Sequence, residues 1–146
     1  MNKVLFRTEE LPMPPWKKEA ENFICRVLEI LEQKNWELSV LLCSNGFIRS
    51  LNARYRNKDE PTDVLAFPMG INTPGGKYIA GDIVISLDAL DENARFFKVS
   101  GENEFRRLLV HGILHLSGYD HSTNKSEEPM LKTQEEILAR LAEKIT

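Results

Sequence analysis

The stretch His111-Gly112-Ile113-Leu114-His115-Leu116-Ser117-Gly118-Tyr119-Asp120-His121 decides how the rest of the chain is read. It closes a segment, residues 102–117, in which Phe105, Leu108, Leu109, Ile113, Leu114 and Leu116 recur at helical spacing. A helix there places His111 and His115 on one face, because four residues turn the helix through about 400° and advance it about 6 Å. Gly118 is suited to end the helix with a positive φ. The chain then bends back, and His121 can supply a third imidazole from the turn. The sequence has three histidines, all within this stretch. Random placement meets the spacing in about one triple in 3,700.

Imidazoles at this spacing point to one Zn2+ ion held by His111, His115 and His121. Three protein ligands leave the fourth tetrahedral position for water, as in catalytic rather than structural zinc sites. Zinc lowers the pKa of that water to about 7, so the expected chemistry is hydrolysis. The opposing assignment, ordinary core or surface histidines, suits a lone His better than three at ligand spacing. The spacing also matches HExxHxxGxxH, the metzincin protease pattern, with one departure. Gly112 stands where the general-base Glu belongs. The metal ligands survive, whereas the usual peptidase mechanism loses its base. Asp120 beside His121 can serve as base or as support for a ligand, or it can cap the turn, which is the simpler role.

Upstream, residues 3–7, Glu37–Cys43, Val64–Pro68 and Asp82–Ser86 read as strands. Residues 70–81, rich in Gly, Asn, Thr and Pro, read as a loop or a hairpin connection. Helical spacing appears at Ala20–Leu31, after a Ser44 cap at Ile48–Tyr55, and over residues 87–98 and 126–144. The expected fold class is α+β: a single domain over residues 1–146, with a small mixed β-sheet packed with helices and a zincin-like metal-binding helix.

Composition agrees with a packed, charged-surface chain: 146 residues, 42% hydrophobic and 28% charged. The net charge of -3 argues against wholesale electrostatic capture of nucleic acid. It leaves room for a local basic groove. Arg49, Arg54, Arg56 and Lys58 lie close in sequence and form either such a patch or a solvated face. Cys25 and Cys43 make no CxxC pair and read as buried, reduced thiols. Trp16 and Trp36 flank a helix and read as core. Asp82 reads as a strand-entry or hydrogen-bonding residue rather than a metal ligand. The N-terminus lacks a signal-peptide core and no apolar run reaches membrane-spanning length, so the expected compartment is the cytoplasm.

Three blocks together resemble one family. Leu51–Pro68 contains Tyr55-Arg56-Asn57-Lys58-Asp59, Gly81–Ser86 follows, and the histidine stretch completes the order. These blocks, with Met130 and Glu135-Glu136-Ile137-Leu138 beyond, are similar to the bacterial YbeY family of single-strand-specific endoribonucleases in ribosomal RNA maturation. The resemblance implies zinc at His111, His115 and His121, and a functional arginine at Arg56. A guanidinium there can grip a phosphate in bidentate fashion and stabilise developing charge. Without the resemblance, Arg56 is equally well an ordinary helix-end cation. Ala66 and Asp63 stand where the family often has Ser and Asn.

The leading expectation is therefore a metal-dependent, single-strand-specific endoribonuclease acting in rRNA processing and ribosome maturation. Its implied partners are single-stranded RNA, in particular rRNA, and the ribosome or a ribosomal subunit, with no membrane. The alternatives are a ribosome-assembly binding factor with a mainly structural zinc, or another zinc hydrolase such as a peptidase. The oligomeric state stays open.

Overall fold

Four strands form one sheet in the order β1-β2-β4-β3, as described by a computed structural model for residues 1–120 and 128–142. The strands are β1 (Lys3–Thr8), β2 (Trp36–Cys43), β3 (Val64–Asn72) and β4 (Tyr78–Ser86). β1 runs parallel to β2 and β2 parallel to β4, while β3 pairs antiparallel with β4. The helices are α1 (Lys17–Ile30), α2 (Asn45–Arg56), α3 (Leu87–Phe97), α4 (Gly101–Leu116) and α5 (Pro129–Ala142). The sheet is thus mixed and helix-covered, as the α+β expectation requires.

Alternation along the strands sorts the helices onto the two faces. Leu38, Val40 and Leu42 of β2, with Ile83 and Ile85 of β4, join α1, α4 and α5 in the main core. Cys43, Leu65 and Val84 face the other way and pack with Ile48 of α2. α4 is the central helix: Leu108, Leu109, Ile113 and Leu114 are almost wholly buried. Burying each such side chain contributes about 1.5–3 kcal/mol relative to exposure.

Local signals set the helix ends. Ser44, Ser86 and Ser100 each accept a hydrogen bond from the backbone N–H three residues on, capping α2, α3 and α4. Gly118 follows the end of α4 with φ of 97°. The hairpin connection read over residues 70–81 is present but shorter than that range. Most of residues 70–81 are strand, because β3 runs on to Asn72 and β4 begins at Tyr78, leaving a tight turn. The extension survives its Gly and Pro content because β3 is an edge strand whose register shifts between Pro68 and Ile71.

Trp36 is buried as expected, but Trp16 is exposed rather than core, its ring tilted against Phe105 with centroids 4.6 Å apart. Cys43 is buried and burial pushes its thiol up to about 12; Cys25 is only half-buried, and both are free thiols. The Asp82 carboxylate accepts a hydrogen bond from the Ser39 hydroxyl, the hydrogen-bonding role expected of it. Among the described residues, no helix is long and apolar enough to cross a membrane.

Candidate active site

The two faces of α4 carry different chemistry. Gly112 points at the sheet: a Cβ added there would lie 2.8 Å from Cγ2 of Ile83 on β4. His111, one residue earlier and about 100° round the helix, is half-buried at an open groove of about 1370 Å3. The position that holds the protease base in the HExxH pattern is therefore filled by sheet packing, and a side chain there would have to displace that of Ile83. His115 lies one turn beyond His111, with ring centroids 4.8 Å apart and planes at 74°.

Behind His111 stands α5. The His111 Nδ1 lies 2.7 Å from Oε1 of the buried Gln134. An amide oxygen only accepts, so in the neutral ring Nδ1 carries the proton and Nε2 the lone pair. That is the state a metal ligand needs, with its second nitrogen tied to an acceptor. His111 and His115 thus suit a zinc ion. His121 lies outside the described residues. Among the described residues, no group of three or more His, Cys, Asp and Glu side chains is arranged to hold a metal.

A charged cluster braces the same wall. Arg107, one turn before His111, donates from Nε and Nη2 to the two carboxylate oxygens of the buried Glu104, at 2.9 and 2.6 Å. Asn93 of α3 donates to Glu104 and to Asp63, both at 3.0 Å. The hydrogen bond from Arg107 to Glu104 holds the guanidinium pKa above its ordinary value, despite burial. Arg107 is already engaged by carboxylates within the protein.

Arg56 enters the groove differently. It is the last residue of α2, ahead of Asn57 in the left-handed conformation. The Arg56 side chain is exposed, donates from Nη2 to the Ala66 carbonyl at 2.8 Å, and lies 5.7 Å from the Phe67 ring centroid. That leaves most of a guanidinium's five donors for a ligand. Arg56, Lys58 and His111 line one groove. Of the two readings left open for the four cations, a patch or a solvated face, Arg56 and Lys58 follow the first at the groove, while Arg49 and Arg54 do not join them there. Arg49 turns to Asp59 in an exposed ion pair, and Arg54 packs over Tyr55. Arg49 and Arg56 share a face of α2 but lie about 10 Å apart along its axis, so they meet different neighbours.

Residues 4–142 match the family described as Endoribonuclease YbeY. The chain belongs to that family. It is 53% identical to an Endoribonuclease YbeY of Treponema denticola over 82% of this chain and 79% of the relative. Identity to the Endoribonuclease YbeY of Aquifex aeolicus is 45%, over 86% and 84% of the two chains. The fold is also similar to the solution structure of TM1509 from Thermotoga maritima, with a TM-score of 0.66 and 30% identity, covering 97% of this chain and 90% of that one. The family resemblance drawn from residues 51–121 is thereby met.

Sequence reading missed Gln134, Glu104, Asn93 and Arg107. A signal existed for two of them. Gln134 interrupts the buried stripe Met130, Ile137 and Leu141 of α5, and Glu104 sits beside Phe105 and one turn from Leu108 in α4. A polar residue on an apolar stripe implies a buried partner.

Proposed function

We propose that this chain is a metal-dependent endoribonuclease that cuts single-stranded RNA, acting on rRNA during ribosome maturation in the cytoplasm. The observation that carries the reading is the convergence of Arg56 and His111 on one groove. Family membership supplies the bond class, an RNA phosphodiester.

His111, His115 and His121 would hold one zinc ion. The chemistry such an ion supplies is Lewis-acid polarisation and a water whose pKa falls to about 7. The protein's own part is positioning and charge. His111 presents Nε2 because Nδ1 is committed to Gln134. Arg56 keeps its guanidinium over the Phe67 ring and offers its remaining donors to phosphate oxygens, where bidentate contact stabilises developing negative charge. The Glu104–Arg107–Asn93 cluster ties α4 to α3 and keeps the histidine wall in place.

The peptidase alternative loses ground, because Ile83 closes the space a catalytic Glu at position 112 would occupy. The test is cleavage of a single-stranded RNA by purified protein with and without zinc, alongside His115→Ala, Arg56→Ala and His121→Ala. Loss of cleavage in all three variants, with loss of zinc in the histidine variants alone, is the expected result. Undiminished cleavage by His115→Ala or Arg56→Ala would overturn the site. A full zinc load in His121→Ala would remove His121 from the ligand set. Product ends then identify the nucleophile, since attack by the ribose leaves a 2′,3′-cyclic phosphate.

A further inference from the structure

α5 buries Met130, Ile137 and Leu141 on one face, and Gln134 falls on that same face, only 3% exposed. An amide is an expensive occupant of an apolar stripe unless both of its ends find partners. Both do. Oε1 lies 2.7 Å from His111 Nδ1, and Nε2 lies 3.4 Å from Oε2 of Glu135, a long contact.

The chemistry of the neighbours decides which way the amide faces. An ionised carboxylate has only acceptors, so the NH2 end belongs toward Glu135 and the carbonyl end toward His111. The carbonyl in turn can only accept, so the proton of a neutral His111 belongs on Nδ1. Leucine or methionine would fill the stripe without needing any partner, so side-chain packing alone gives no reason for an amide here.

We infer that Gln134 is a positioning residue: it holds His111 in the Nδ1–H tautomer and sets its ring so that Nε2 is the atom given to the metal. The inference rests on the metal reading above. It makes α5 part of the metal centre, although α5 carries none of the expected ligands. The packing of α5 on α4 thereby sets the direction of a donor lone pair.

Two readouts test it. In the metal-free chain at a pH where the imidazole is neutral, nitrogen-resolved NMR should show His111 protonated at Nδ1. Zinc affinity, measured by competition with a chromophoric chelator, should fall about 10- to 100-fold in Gln134→Leu. The same variant should keep or raise the melting temperature of the metal-free chain, because leucine suits the stripe. Gln134→Glu keeps an acceptor at the same reach and should retain zinc affinity to within about threefold. A role in packing alone predicts the reverse pattern, with melting temperature responding and zinc affinity not. Wild-type zinc affinity in a folded Gln134→Leu, or an Nε2–H tautomer in the unmodified chain, overturns the inference. Failure of the unmodified chain to take up any zinc overturns the metal reading itself, and the two failures are thereby told apart. Should Gln134→Leu not fold, the tautomer of the unmodified chain still decides.

Discussion

On the α4–α5 wall of the groove, His111 is half-buried and its ring is tied to a buried amide on the neighbouring helix. On the α2–β3 wall, Arg56 is exposed, held by one backbone carbonyl and the face of Phe67. A metal ligand gains from a fixed lone pair, since coordination is directional. A phosphate-gripping guanidinium gains from spare donors and some freedom to follow its ligand. Arg107 completes the contrast: it lines the same groove, but Glu104 already engages it in two hydrogen bonds. Sharing a groove therefore does not make two arginines equivalent; what decides is how many of their donors remain uncommitted.

The sharpest way to break this comparison is His111→Ala. Zinc content and RNA cleavage should both be lost, while circular dichroism stays that of a folded chain. Retained zinc would mean that the histidine wall is not the metal wall.

Gly112→Glu comes next and restores the protease-like pattern on paper. The new side chain meets Ile83 and buries a charge, so a loss of about 3 kcal/mol or more in denaturant unfolding is expected, with no gain of peptidase activity. A stable Gly112→Glu protein would show that the sheet-facing side of α4 tolerates a carboxylate at that position.

Arg56→Ala should lower RNA cleavage about 100-fold, the scale for losing one preorganised donor, with zinc content and melting temperature unchanged. Arg56→Lys should recover only part of the rate, since an ammonium lacks the planar fork. Equal activity of the lysine variant would reduce Arg56 to a point charge.

The smallest effect belongs to Arg49→Ala. Its pairing with Asp59 is exposed, and the hydrogen bond between the two raises the Arg49 pKa and lowers that of Asp59. Melting temperature and cleavage should stay within measurement error. A marked fall in cleavage would instead extend the RNA path along α2, beyond Arg56.

Much of the site was open to reading because its grammar is short-range. A helix repeats every 3.6 residues, so the shared face of His111 and His115, the Ser44 cap and the Gly118 terminus follow from neighbours in sequence. The absent carboxylate at Gly112 was equally plain, and with it the departure from the protease pattern. The hairpin was harder. Residues 70–72 and 78–81 carry loop-forming composition, and only pairing between β3 and β4 makes them strand.

The sequence by itself determined a mixed sheet with helices, two histidines on one helical face, a third in ligand spacing and the family to which the chain belongs. Tertiary structure alone decided which two of four neighbouring cations line the groove, why a side chain at position 112 would displace Ile83, and which amide stands behind His111. The reason is distance along the chain. Arg56 meets Ala66, Gly112 meets Ile83 and His111 meets Gln134 across ten or more residues, where local periodicity carries no information and only the packing of one element on another brings the partners together.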